Sequence, residues 1–249
     1  MKNKIGWCSM TWNPVWGCLN HCEYCYARKI AKRFAGVMAR KETRYRFCLD
    51  YNQKWFTWAK TRLNNFEPIF LDSQYHKKFP KKPQRIFVGS MSEIAYWDEV
   101  WIQKVIDKTK EYPQHTFIFL TKHPKIYNEW VFPENCGLGV TITNNQKEGE
   151  PGRWDFWEYK QHNINNLKFV CYEPLLTGMQ LMYYQTLEYI DWVIIGSETG
   201  NRKGKVIPSR AWVEDIKEEC KMRNIPIYLK DSLKNIYPVE IKEFPKEEN

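Results

Sequence analysis

The sequence predicts an α/β fold, a full or partial TIM-type (βα) barrel built on parallel strands. The first observation is a series of short runs rich in Ile, Val and Phe that do not alternate with polar residues. Continuous apolar runs of this length are typical of strands buried on both faces of a parallel sheet. The runs are RIFVG at 85–89, HTFIFL at 115–120, CGLGVTI at 136–142, LKFVCY at 167–172, DWVIIG at 191–196 and IPIYLK at 225–230.

The second observation is that helical patterns lie between several of these runs. Residues 98–111 place Trp101 and Val105 at helical spacing, and residues 209–222 begin with a capping residue, Ser209, before an apolar stripe. Strands that alternate with helices indicate βαβ units and therefore a barrel or a doubly wound sheet.

The chain is long enough, and apolar enough at 43% hydrophobic residues, for a single domain over residues 1–249. A stretch from about 44 to 80 breaks the strand rhythm and is interpreted as an insertion after the first βα unit. Its mixture of aromatic and basic residues suits base stacking and phosphate binding, and it equally suits an ordinary helical insertion. Residues from about 238 to 249 form a charged tail.

The net charge of +9 is concentrated at the start of the chain. Residues 1–85 hold 18 Lys and Arg against 5 Asp and Glu, a net +13, and the remainder holds 20 against 24, a net −4. A basic front segment favours a polyanionic partner such as nucleic acid, although it also promotes solubility. Because no apolar run approaches a membrane span and the start lacks a signal-peptide core, we expect a cytoplasmic protein without a membrane partner.

Polar or charged side chains follow each of the predicted strands. The carboxyl ends of parallel strands form one face in α/β folds, so we expect these side chains to surround one cavity. The residues are Glu93, Lys122, Asn144, Glu173, Glu198 and Lys230. Four of them are candidate catalytic residues, with salt bridges among them as the alternative: Lys122, Glu173, Glu198 and Lys230.

Three cysteines lie close together in the segment WGCLNHCEYCYARK, residues 16–29. Cys18, Cys22 and Cys25 follow a predicted first strand and precede a basic amphipathic helix, so they belong to the same face. In the cytoplasm, clustered cysteines are more often metal ligands or catalytic groups than disulfides. A structural zinc site needs a fourth ligand, such as His21 or a more distant side chain. Three thiolates on a 4Fe–4S cluster would instead leave one iron with an open position.

The C-x3-C-x2-C motif, with Tyr24 just before its last cysteine, resembles the signature of the radical S-adenosylmethionine superfamily. The resemblance implies a full or partial (βα) barrel in which Cys18, Cys22 and Cys25 hold a 4Fe–4S cluster. It implies that S-adenosylmethionine (SAM) binds the open iron and yields a 5′-deoxyadenosyl radical that abstracts hydrogen from a substrate. It also implies an external electron donor such as a flavodoxin or ferredoxin.

The same resemblance implies SAM-binding positions at Tyr24, inside the motif, and at several places outside it. A turn after the second barrel strand would contact the methionine amino group, and polar side chains at the fourth strand would contact ribose or carboxylate. Backbone and apolar groups around the fifth and sixth strands would hold adenine. The corresponding residues of this sequence are Tyr24, Gly89, Ser90, Met91, Glu93, Thr141, Thr143, Asn144, Ile195 and Gly196.

The segments TWNPVWGC, CEYCYA, LTKHP, YEPLL and WVIIGSETG together resemble a phage- and prophage-associated family of radical-SAM-like proteins, from Trp12 to about Asp231. This likeness and the basic front segment favour nucleic acid or a modified nucleotide as the substrate, in the host cytoplasm if the protein is phage-encoded. Two alternatives stay open. One is a non-catalytic zinc or iron–sulfur module that binds nucleic acid, and the other is a radical enzyme that acts on a small molecule or a protein.

Overall fold

The computed structural model describes residues 5–47, 53–143, 165–178 and 185–245. Its centre is a seven-stranded parallel sheet that curls into a half-barrel, which confirms the predicted α/β class with parallel strands. The strands in chain order are β1 (Met10–Trp12), β2 (Val15–Trp16), β3 (Ile69–Phe70), β4 (Arg85–Val88), β5 (Thr116–Thr121), β6 (Cys136–Thr141), β7 (Lys168–Tyr172), β8 (Trp192–Ile195) and β9 (Ile227–Leu229).

The order of strands in the sheet is β1-β4-β5-β6-β7-β8-β9, and every adjacent pair is parallel. All six apolar runs of the sequence therefore form neighbouring strands, β4 to β9. Strands β2 and β3 make a separate antiparallel ribbon, with Val15 opposite Phe70 and Trp16 opposite Ile69. This ribbon lies directly before the cysteine segment and holds its amino-terminal end.

The α-helices of the described residues are α1 (Tyr26–Phe47), α2 (Gln53–Asn65), α3 (Asp72–Tyr75), α4 (Glu99–Lys110) and α5 (Arg210–Met222). Short 3-10 helices span Ile94–Tyr96, Pro124–Asn128, Gln185–Tyr189 and Asp231–Leu233. The predicted cap at Ser209 is confirmed, because its side chain accepts a hydrogen bond from the Trp212 N–H. None of the helices in the described part of the chain combines the length and apolar character needed to cross a membrane.

The main core lies between the outer face of the sheet and the helices α4 and α5. Alternate strand residues such as Val88, Phe119 and Val193 are buried there against Ile102 of α4 and Val213 of α5. Residues of the opposite parity form a second cluster on the inner face of the sheet. Its members are Trp7, Cys8, Phe87, Ile118, Phe169, Cys171, Trp192, Ile194 and Tyr228. These large side chains fill part of the half-barrel interior, while polar residues follow the carboxyl ends of the strands.

Helices α1 and α2 pack against each other beside this half-barrel. Their contact is close because α1 presents buried alanines at four-residue intervals, which lie on one side of a helix. Those alanines are Ala27, Ala31, Ala35 and Ala39. The predicted insertion boundary at about 44 falls inside α1, and α2, β3 and α3 follow within the predicted stretch.

Candidate functional site

The loop that carries the three cysteines begins where β2 ends. The Gly17 N–H donates to the Met91 carbonyl at 3.0 Å, and the Cys18 N–H donates to the Phe66 carbonyl at 2.9 Å. Gly17 has a φ of 109°, and a Cβ at this position would lie 2.2 Å from the Glu67 carbonyl oxygen. Glycine is therefore required here, both for the positive φ and because the Gly17 backbone comes very close to the Glu67 backbone.

The loop ends at the first residue of α1. The Cys25 N–H donates to the Cys22 carbonyl at 3.1 Å, which forms the turn that leads into the helix. Cys18 and Cys25 both pack against the small apolar cluster that contains Met91 and Phe66. The two ends of the motif are thus brought to one place, against the turn that follows β4.

The cysteines of this loop are partly buried, and none of the cysteines that the structure describes is in a disulfide. Backbone N–H groups point at two of the sulfurs: Asn20 N lies 3.4 Å from Cys18 Sγ, and Arg28 N lies 3.4 Å from Cys25 Sγ. Burial raises the pKa of the Cys18 thiol to about 12, the Asn20 N–H opposes this, and the charges of Glu93, Cys22 and Cys25 add to it. Burial therefore keeps the Cys18 sulfur a neutral thiol, and a bound cation would be needed to hold it as a thiolate beside the other two sulfurs.

Within the described ranges, no three His, Cys, Asp or Glu side chains are grouped so that they could hold a single metal ion. His21 is instead engaged by Arg28, whose Nη2 lies 3.3 Å from His21 Nδ1. A 4Fe–4S cluster makes a different demand, because each thiolate binds a separate iron atom and the sulfurs surround a larger group. Three cysteines on one short loop, none in a disulfide and two with backbone N–H groups directed at their sulfurs, fit that donor chemistry.

The turn after β4, residues 89–93, lies directly beside the cysteine loop. Asn13 Oδ1 accepts hydrogen bonds from Ser90 Oγ at 3.0 Å and from the Met91 N–H at 3.2 Å. The hydroxyl of Tyr26 donates to the Ser90 carbonyl at 2.9 Å, and the Gly89 N–H donates to the Trp12 carbonyl. The turn is therefore tied both to the end of β1 and to the start of α1.

Glu93 closes this turn and connects it to the end of β5. Its carboxylate is buried and accepts hydrogen bonds from Thr121 Oγ1 and, at 3.0 Å, from the Lys122 N–H. Lys122 Nζ in turn donates to the Tyr24 hydroxyl at 2.5 Å. Tyr24, Glu93 and Lys122, which were predicted separately, are thus joined in one chain of contacts.

A second polar group beside the cysteine loop was missed by the sequence reasoning. Asn20 Oδ1 accepts a hydrogen bond from the Tyr96 hydroxyl at 2.8 Å and lies 2.8 Å from His123 Nε2. The available signal was the LTKHP segment, in which His123 comes just after a strand and beside the predicted Lys122. This group holds the loop between its first two cysteines.

Glu173 and Lys230 form an ion pair at the carboxyl ends of β7 and β9. Burial lowers the pKa of Lys230, but the Glu173 charge and hydrogen bond outweigh it, so the net shift is upward. The Cys171 thiol lies 3.8 Å from Glu173 Oε2. Tyr26 is 48% exposed, yet surrounding protein raises the pKa of its hydroxyl, with the Glu173 charge as the next cause and Cys25 after it. The Glu173 charge therefore acts on the hydroxyl of the first residue of α1.

Glu198, after β8, binds Arg202 rather than any of the predicted lysines. Arg202 Nε and Nη2 donate to the two carboxylate oxygens of Glu198 at 2.7 and 2.8 Å. Arg202 Nη1 also lies 3.4 Å from Glu23 Oε2, so the loop after β8 reaches the cysteine loop. The hydrogen bonds from Arg202 are the main cause that lowers the pKa of the Glu198 carboxyl.

The remaining predicted residues differ in how accessible they are to a ligand at this site. Thr141 and Thr143 are buried at the end of β6, and Asn144 lies outside the described residues. Gly196 lies between Glu173 and Lys230. The side chain of Ile195 is fully buried in the main core with α5 residues, so only its backbone is available to a ligand.

Comparison of the chain with curated proteins and with solved structures finds no match. A protein-family model matches residues 2–241, which is nearly the whole chain. The chain therefore belongs to the family described as protein of unknown function, DUF5131.

Proposed function

We propose that the protein is a radical SAM enzyme whose 4Fe–4S cluster is held by Cys18, Cys22 and Cys25. The observation that carries this proposal is the loop itself. Three cysteines that form no disulfide lie between β2 and α1, with Cys18 and Cys25 against the turn after β4, beside the carboxyl ends of the parallel strands. When bound, the cluster with SAM supplies a 5′-deoxyadenosyl radical that removes a hydrogen atom from the substrate.

The residues around the loop would orient SAM and limit the motion of the thiols. Asn13 holds the 89–93 turn through Ser90 Oγ and the Met91 N–H, and in this proposal the turn contacts the methionine moiety. Lys122 holds Tyr24 against the same edge of the sheet. The arrangement supports SAM-binding roles for Ser90, Met91 and Tyr24.

The charged pairs after β7, β8 and β9 would bind the substrate or the polar parts of SAM. Glu173 and Lys230 present both signs of charge to the interior while neutralising each other, so a ligand can exchange partners with either of them. Glu198 is fully engaged by Arg202 and is assigned a positioning role, because it holds the loop that contacts Glu23.

Nucleic acid or a modified nucleotide is the proposed substrate class. The supporting observation is that α1, which begins directly after Cys25, carries Lys and Arg on its exposed side. The same observation favours the second candidate, a non-catalytic nucleic-acid-binding module in which zinc or an iron–sulfur cluster orders the loop.

Anaerobic reconstitution with iron and sulfide separates the two candidates. For the enzyme we expect about four iron atoms per chain, a reducible cluster in paramagnetic resonance, and 5′-deoxyadenosine released from SAM under reductant. Cys22→Ala should lose the iron and the product while the circular dichroism of the barrel is retained. Cys220→Ala, which removes a buried core thiol of α5, is the matched control and should keep the iron. A protein that binds only zinc and never cleaves SAM would refute the proposal.

A further inference from the structure

The exposed side of α1 carries two parallel rows of side chains that nothing in the reaction chemistry requires. One row is apolar: Tyr26, Ile30, Phe34 and Val37 are 48, 37, 40 and 60% exposed and are spaced by four, four and three residues. Such spacing keeps side chains on one side of a helix. Rows of this kind are normally buried, so their exposure indicates a surface that contacts a partner.

The second row is cationic and runs beside the first. Lys29, Arg33, Arg40 and Arg44 are exposed at intervals of four, seven and four residues, which keeps them on one side of the helix. Lys29 and Arg33, one turn apart, are separated by about 6 Å along the helix axis. Such a row can neutralise successive phosphates of an extended strand.

These cations are not balanced within the described residues. The acidic residue of α1 is Glu42, which is buried and accepts hydrogen bonds from Arg46 and from the N–H groups of Asp72 and Ser73. One exposed basic residue of α1, Arg46, forms ion pairs with Glu42 and Asp72. In the part of the chain that the structure describes, no carboxylate lies within ion-pair distance of the other exposed basic residues of α1, which are Lys29, Lys32, Arg33, Arg40, Lys41 and Arg44.

Two exposed aromatic rings of this surface, Phe34 and Trp58, are paired with arginine. The Arg33 guanidinium lies 5.3 Å from the centre of the Phe34 ring, and on neighbouring α2 the Arg62 guanidinium lies 5.4 Å from the half-exposed Trp58. Unpaired bases stack on aromatic rings and on guanidinium planes. A single strand offers phosphates and bases side by side, which matches the two adjacent rows of α1.

We propose that the exposed face of α1 binds single-stranded nucleic acid and leads the strand to the cysteine loop. The face begins at Tyr26, whose hydroxyl contacts the Ser90 carbonyl at the mouth of the half-barrel, so a bound strand reaches the site without a gap. A duplex would offer phosphates but would hide the base faces from the apolar row. A lipid surface is the competing occupant, and the pairing of Phe34 with Arg33 and of Trp58 with Arg62 favours stacked bases over acyl chains. The delivery of the strand rests on the proposed function, whereas the binding itself requires no cluster.

The test is fluorescence anisotropy of labelled oligothymidylate and oligouridylate with the full chain over a series of salt concentrations. We expect binding that weakens as salt rises, and a plot of log K against log salt that becomes shallower by about 1.4 in the Arg33→Gln/Arg40→Gln variant. Lys221→Gln, an exposed lysine of α5, is the control and should leave the slope unchanged. No binding at low salt, or an unchanged slope in the double variant, would overturn the proposal.

Phe34→Leu separates base stacking from general apolar contact. We expect its affinity for the oligonucleotides to fall about tenfold, because leucine keeps bulk but not the ring. Met222→Leu, at a residue 68% exposed on α5, is the matched control and should bind like the wild type. Full affinity of Phe34→Leu, or a preference for anionic lipid vesicles or for duplex over single strands, would contradict the proposal.

The Cys22→Ala variant distinguishes this inference from the proposed function. It should bind the oligonucleotides as tightly as the wild type, because the α1 face does not include the thiols. Binding by a reconstituted protein that never cleaves SAM would refute the radical chemistry and leave the docking surface intact. Loss of binding in Cys22→Ala would place the strand on the loop rather than on α1 and would overturn the inference.

Discussion

Lys230 and Glu173 form their ion pair across Gly196, which directly follows β8, the strand between β7 and β9. Strands β7, β8 and β9 are neighbours in that order, and the pair joins the outer two over the middle one. A Cβ at Gly196 would lie 3.0 Å from Lys230 Cδ and 3.1 Å from Glu173 Cδ. The missing side chain at Gly196 is therefore what allows the two charged side chains to meet.

Gly196→Ala should weaken this pair by crowding it. We expect the free energy of unfolding to fall by about 1–3 kcal/mol, measured by urea denaturation, because the new methyl group displaces both charged side chains. Gly36→Ala is the control with the opposite expectation. Gly36 lies inside α1, and a Cβ there would be in ordinary contact with Lys60 Cε at 3.9 Å, so alanine should stabilise the helix by about 0.5–1 kcal/mol. Equal effects at both positions would contradict the geometry.

Lys230→Met should cost more than the loss of a surface lysine. The Lys230 and Glu173 side chains are only 13 and 24% exposed, so the variant leaves a poorly solvated carboxylate without its cation. We expect a loss of about 2–3 kcal/mol in unfolding free energy, and less than the sum of both single losses when Glu173→Gln is added. Strictly additive losses in this double-mutant cycle would show that the two side chains do not interact.

The contact between Arg202 and Glu198 should make stability depend on pH in the acid range. The Glu198 pKa is lower in the folded protein than its ordinary value of 4.5, chiefly because Arg202 donates hydrogen bonds to it. A lowered carboxyl pKa stabilises the fold above the unfolded pKa, and this stability is lost as the pH falls through the folded pKa.

The difference in unfolding free energy between the wild type and Arg202→Gln should therefore be largest near neutral pH and should shrink below about pH 4. Urea denaturation over a pH series measures it, with Lys221→Gln as a control whose difference from the wild type stays constant. A difference that grows in acid would have the wrong sign for this pair.

Strands β4 to β9 of the sheet were predictable because each of them is one continuous apolar run of the sequence. Runs such as DWVIIG and LKFVCY are continuous and apolar, and burial on both faces of a parallel sheet requires that pattern. The length of α1 was harder to predict, since its buried side is made of alanines rather than large apolar residues. The interpretation of 44–80 as a separate insertion therefore began inside a helix.

Much of the candidate site was predictable in the sense of which residues lie there, but not in the sense of which side chains contact each other. Glu93, Lys122, Glu173 and Lys230 follow strands, which places them at one edge of the sheet. Their partners depend on the register of distant segments: His123 meets Asn20, which is 103 residues away in the chain. No local pattern encodes such a contact, and the roles of Asn13, Asn20 and Arg202 therefore emerged only from the fold.

Glu42→Gln should detach α1 from α3. The buried carboxylate accepts hydrogen bonds from the Asp72 N–H at 2.6 Å and the Ser73 N–H at 3.0 Å, and an amide would direct its own N–H groups at one of these donors. We expect a loss of about 1–3 kcal/mol in thermal or urea unfolding. Glu218→Gln, at an exposed position of α5, is the control and should change stability little. If Glu42→Gln left the free energy of unfolding unchanged, the carboxylate would not be what holds α1 to α3.

Asn13→Ala tests whether the 89–93 turn serves SAM. The substitution removes the oxygen that accepts from Ser90 Oγ and from the Met91 N–H, so the turn loses its alignment with the cysteine loop. We expect the reconstituted variant to keep its iron but to bind SAM about tenfold more weakly by equilibrium dialysis, as the loss of one ordered contact implies. Asn13→Asp keeps an acceptor and should bind SAM more tightly than the alanine variant. If Asn13→Ala bound SAM as well as the wild type, the turn would be a structural element of the barrel mouth and SAM would have to be held elsewhere.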